Sequence, residues 1–247
     1  MIKHQTIELP TDNGERLDVH IYNCQLDKGV NILKAEGLEE ITARDLADIR
    51  LTAGPDHYIT KRGAFVAETI IYLHNGNILL TDRNRSPILK DATKAVELHR
   101  KHEEFYLDEK IVNELCECAE VDTEKAIKSG VILIPKKEIQ KEIPVLRLDK
   151  KPLTRFLFRD LAGQYGHLLK EGGVDSLPLH ALDAMYSTTV KAPFARALYV
   201  HLFWEWFYLG SNDPMDFKSS ICADKWIEPN YWGVWGLKRM PTAKRKL

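Results

Sequence analysis

The residues best equipped for chemistry gather in the second half of the chain. His201 and Glu205 stand four apart in a run otherwise made of Phe, Leu, Trp and Tyr. On a helix both would face one side, as a self-satisfying hydrogen-bonded pair, a tuned acid–base pair or two metal ligands. Asp160, Gln164 and His167 recur at helical spacing further upstream, and His180 and Asp183 stand one turn apart. Brought together, Asp160, His167, His180, Asp183, His201 and Glu205 would make a helical His/Asp/Glu cluster suited to metal-assisted or general acid–base work. The structural alternative, a satisfied ion pair and a solvated polar strip, is preferred. Structural pairs perturb ionisation as functional ones do, and a di-metal bundle would repeat its motif, which this chain does not.

Two smaller groupings follow. His99 and His102, with Glu103 beside them, fit one turn of a helix and would supply part of a metal site, but no third and fourth ligand is evident and no metal is assigned. Cys116 and Cys118, being about 200° apart on a helix, do not converge on one ion. Cys118 fits an apolar stripe with Ile111 and Leu115, and Cys116 sits nearer its edge. A Gly-rich phosphate loop, HExxH, GxSxG, paired CxxC and an EF-hand loop are all missing, which lowers the expectation of the common nucleotide-binding and hydrolase classes. No cofactor is expected.

The aromatic residues carry a different signal. All five tryptophans fall between Trp204 and Trp235. Trp204 and Trp206 lie in a run that is apolar on every side and reads as core. Trp226, Tyr231, Trp232 and Trp235 lie in turn-rich chain, where aromatic rings suit a contact surface for a protein partner or a second copy. Lys238, Arg239, Lys244, Arg245 and Lys246 follow with no acid among them. Beside aromatics such a stretch suits phosphates and stacked bases, although a charged terminus is more often solvated.

The elements that must position these residues can be read from local signals. Residues 7–9 and 17–21 form a hairpin around Asn13-Gly14, and 64–73 with 77–81 form a second around Asn75-Gly76. Thr42 with Asp45 opens a helix that Gly54-Pro55 ends. Helices are expected at 91–106, 108–120 and 123–129, the last between Asp122 and Gly130, followed by a buried strand at 131–135. A helix at 152–171 carries Gly163 and Gly166, which would let another backbone or a ligand approach closely. Helices are also expected at 178–187 and 193–209.

The fold class is therefore α+β: a mixed antiparallel-sheet and helix region over 1–148, then a mainly helical, aromatic-rich region over 149–247 with a basic tail. The boundary is soft, and the two regions can equally be one domain. With 35 basic and 36 acidic residues the chain has no global field to draw in nucleic acid or an anionic membrane. No apolar run reaches the roughly 18 residues of a spanning helix, so no membrane partner is expected. Four cysteines without a leader-like apolar segment suggest free thiols and a cytoplasmic setting. The leading functional expectation is a non-catalytic interaction or assembly protein that uses its aromatic C-terminal segment. A nucleic-acid-associated factor using the basic end and an enzyme with a helical His/Asp/Glu site stand behind it.

Overall fold

The computed structural model describes residues 2–10, 16–60, 62–180, 193–201, 220–224 and 233–240. Strand β1 (Lys3–Pro10) pairs antiparallel with β2 (Arg16–Asn23), placing Ile7 opposite Val19 and Leu9 opposite Leu17. Leu17, Val19 and Ile21 are buried on one face, as their alternation requires. The other face of β2 is covered as well: Tyr22 is buried in a cluster with Leu26 and Leu33 of helix α1 (Leu26–Ala35). After β3 (Glu39–Glu40), helix α2 (Ala43–Ala53) begins in a capping box. The Asp45 N–H donates to Thr42 Oγ1 at 3.1 Å and the Thr42 N–H to Asp45 Oδ2 at 3.0 Å. Gly54, at φ 80°, ends it.

The second hairpin joins β4 (Ala64–Tyr72) to β5 (Ile78–Thr81) through Gly76 at φ 80°. Four helices follow, α3 (Pro87–Lys90), α4 (Ala92–Arg100), α5 (Glu109–Cys118) and α6 (Thr123–Ser129), with β6 (Phe105–Tyr106) between α4 and α5. Helix α6 has the expected ends: Asp122 accepts from the Lys125 N–H at 3.0 Å, and Gly130 is left-handed. Then come β7 (Val131–Ile134), β8 (Glu142–Pro144), a 3-10 segment at Val145–Lys150, α7 (Pro152–Phe158), a 3-10 turn at Arg159–Leu161 and α8 (Ala162–Glu171). Strands β9 (Ser176–His180), β10 (Phe194–His201), β11 (Ser220–Asp224) and β12 (Val234–Met240) complete the described chain.

Two sheets result. One runs β1-β2-β12-β3, so the last described strand returns to the first hairpin, Val234 opposite Tyr22 and Met240 opposite Arg16. The other runs β7-β5-β4-β10-β11-β9-β8, with β6 also on β10. Its pairings are antiparallel except β9 with β11. The chain is α+β. Arg50 of α2, fully buried, ties the layers together. It donates to Tyr165 Oη of α8 at 2.5 Å and to the carbonyls of Arg62 and Val200 at 2.8 and 3.2 Å.

Four expected helices differ from what forms. The helix over 91–106 stops at Arg100, and Phe105–Tyr106 is a strand paired with β10. Residues 194–201 are a strand, β10, not the start of a helix over 193–209. Its two long-edge partners, β4 and β11, place it inside the sheet with apolar clusters on both faces. A run buried on two sides is apolar at every position, and periodicity cannot separate it from a buried helix. The helix over 178–187 is likewise replaced in its described part by β9. The helix over 152–171 is broken at Arg159, whose φ of 54° interrupts the helical ladder. Among the described residues no helix is long and apolar enough to cross a membrane.

Candidate functional site

Two breaks in regularity meet in one place. Opposite β10 the register of β4 shifts, Ala197 facing Thr69 but Leu198 facing Val66, so Ala67 and Glu68 form a bulge. The Ala67 N–H donates to the Ile41 carbonyl at 2.8 Å, and Glu68 Oε2 accepts from the Ala43 N–H at 3.0 Å, at the start of α2. Glu68 is 1% exposed. Burial pushes its carboxyl up to about 7, against the pull of the Ala43 and Glu68 amides and of Arg159.

Arg159 is the second irregularity. A non-glycine residue in this backbone region is strained by about 1–3 kcal/mol, and such strain collects at functional positions. Its guanidinium lies 4.2 Å from the centre of the Phe156 ring, and its Nη1 is buried with no hydrogen-bond partner among the described residues. Burial lowers its pKa, opposed by Glu68, Asp82 and Glu124. Arg159 lines an open cleft of about 590 Å³ with Arg44, Glu124, Ile127, Arg155 and Asp160. Arg44 Nε and Nη2 donate to the two Asp160 oxygens at 2.9 and 3.2 Å, holding that carboxyl below the usual range. Arg155 Nη2 donates to Glu124 Oε1 across α7 and α6.

The fold that builds this place has a known counterpart. A solved structure from work on the accommodation of massive sequence variation in Nanoarchaeota by the C-type lectin fold matches at a TM-score of 0.52. The match covers 96% of this chain and 97% of that one, at 14% identity. The chain has the C-type lectin fold. No protein-family model and no curated protein matches it.

Of the expected acid–base residues, the described ones do not share a helix. Asp160 lies at the cleft, in the 3-10 turn, paired with Arg44. His167 is exposed on α8. His180 and His201 belong to strands β9 and β10, not to helices, and Asp183 and Glu205 lie outside the described residues. His99 ends α4, whereas His102 lies beyond the helix at φ 59°, so the two do not share a helix face. Among the described residues no group of three His, Cys, Asp or Glu side chains could hold a metal ion.

Trp235 is 1% exposed, on β12 within the core, and is not available as a contact residue. Trp226, Tyr231 and Trp232 lie outside the described residues, as do Lys244, Arg245 and Lys246. Lys238 and Arg239 are in β12, with Lys238 exposed opposite Asp18 of β2. Glu68, Arg159 and Arg44 were missed from sequence. Glu68 has a signal, the one charge inside Ala64-Phe65-Val66-Ala67-Glu68-Thr69-Ile70-Ile71-Tyr72. The arginines have none, since their convergence depends on three separate elements.

The carboxyl of Glu68 makes a pH prediction. Unfolded, it ionises near 4.5; folded, it holds its proton to about 7. The folded chain therefore binds more protons over that window and loses stability as pH rises through it, by about 3 kcal/mol at pH 8. Glu68→Gln keeps an acceptor for the Ala43 N–H without the charge. Urea unfolding should find it more stable than the native chain at pH 8 and level with it near pH 4.5. Equal stability at pH 8 would mean that Glu68 is not buried as a carboxylate.

Proposed function

We propose that the chain is a non-catalytic recognition protein that binds a protein partner or a second copy of itself through the segment between β11 and β12, with Trp226, Tyr231 and Trp232 as contact residues. One observation carries the proposal. Trp235 is committed to the core on β12, while Trp226, Tyr231 and Trp232 stand between β11 and β12 in the sequence, outside the described residues. Connections on a rigid framework are the usual carriers of binding residues. The nanoarchaeal structure adds support, because there the same fold accommodates massive sequence variation.

The test is a double substitution, Trp226→Ser with Trp232→Ser. It should leave the melting temperature within about 2 °C of native, as surface changes do, and abolish any concentration-dependent rise in mass or partner binding. A fall in stability of several kcal/mol, of the size that core truncations produce, would instead put these rings in the core.

A further inference from the structure

We propose that the cleft between α2, α6, α7 and the Arg159–Leu161 turn binds a small organic phosphate, its phosphoryl group held by Arg44, Arg155 and Arg159. The volume, about 590 Å³, is of small-molecule size and exceeds what a bare phosphate fills. Three arginines, from α2, α7 and the 3-10 turn, line it together with two carboxylates, leaving the lining net positive. The two carboxylates, Asp160 and Glu124, are 66% and 67% exposed. Exposed ion pairs of this kind contribute little and exchange readily with a soluble anion. They keep the arginine forks extended toward the cleft until a ligand replaces them. Phosphate offers three oxygens and up to two charges, which suits several forks better than a two-oxygen carboxylate does. Ile127 gives the rest of the ligand an apolar wall.

Arg159 supplies the independent observation. Its backbone is held in a conformation that favours glycine, and its Nη1, buried beside the Phe156 ring, has no hydrogen-bond partner among the described residues. Ending α7 needs no arginine, and Glu68, Asp82 and Glu124 already supply part of the negative charge this one faces. The proposal does not depend on the tryptophan contact, and either can fail without the other.

The experiment titrates the full chain with ribose 5-phosphate, inorganic phosphate and ribose, following backbone amide shifts by NMR. Ribose 5-phosphate should move the amides of residues 44, 127, 155 and 159 at millimolar concentration or below. Inorganic phosphate should bind more weakly at the same place, and ribose not at all. Raising salt from about 50 to 500 mM should weaken binding severalfold. Arg159→Gly, which retains the backbone conformation, should weaken it about tenfold, the loss of one charge-assisted hydrogen bond. Arg155→Gln should do the same, and Asp160→Asn should tighten it. The proposal is overturned if about 20 mM inorganic phosphate or ribose 5-phosphate leaves these amides unmoved, if the shifts scatter over surface lysines, or if folded Arg159→Gly and Arg155→Gln both bind as the native chain does.

Discussion

Trp235→Ala should destabilise the chain by about 4 kcal/mol, the usual cost of emptying a core tryptophan site, and lower its melting temperature by roughly 10 °C. The indole is 1% exposed. Its strand, β12, joins the first hairpin to β3, with Trp235 opposite Ile21 and its carbonyl accepting the Ile41 N–H at 3.1 Å. Gly233 makes room for the ring, since a Cβ there would lie 2.6 Å from Trp235 Nε1. That N–H has no partner among the described residues, so the residue stabilises by packing. Truncation removes the packing, leaves a cavity and loosens the closure of the last described strand onto the first hairpin. Thermal unfolding of the variant measures this. A melting temperature equal to the native value would place the indole outside the core and reopen it as a contact residue.

Gly166→Ala should be comparably severe. A Cβ at Gly166 would lie 2.2 Å from the Val145 carbonyl oxygen and 3.2 Å from its carbon. That backbone cannot retreat easily, because the Val145 N–H is bonded to the Asp175 carbonyl at 3.0 Å and its side chain is buried. Forcing α8 away from the 145–150 segment should cost about 3 kcal/mol or more, at the upper end of overpacking. Gly163, three residues earlier on the same helix, is the control. Its added Cβ would meet only Asp149 Cβ, at 3.8 Å, an ordinary contact. Gly163→Ala should therefore be neutral or stabilising by up to about 1 kcal/mol through helix propensity. Urea midpoints of the two variants, measured side by side, check the pair. Equal midpoints would mean that α8 and the 145–150 segment do not touch at Gly166.

What could be read from the sequence was set by how local its cause was. The Thr42–Asp45 capping box, the Asn75-Gly76 turn, the Asp122 and Gly130 ends of α6 and the close approach at Gly166 all depend on near neighbours or on the absence of one Cβ, and each is present. The cysteine reading holds in part: Cys116 is exposed, but Cys118 is only half-buried and Ile111 of its expected apolar stripe is exposed. Strand β10 was illegible because burial on both faces removes the period that identifies a strand. The break at Arg159 was illegible because neither proline nor glycine marks it. Trp235 was assigned to the surface from its turn-rich surroundings, whereas its burial comes from pairing with β2, more than two hundred residues away. The cleft shares that difficulty, since Arg44, Arg155 and Arg159 meet only when α2 and α7 are packed.

The central claim is that Trp226 and Trp232 make contacts while Trp235 makes core. Sedimentation of the native chain and of the Trp226→Ser, Trp232→Ser variant over a range of concentrations, alone and with any partner that the native chain retains, tests it most directly. The account predicts a native mass that rises above 28.4 kDa with concentration or with partner, and a folded variant that stays at 28.4 kDa throughout. A native chain that is monomeric at every concentration and binds no partner, or a variant that associates as the native chain does, would contradict it.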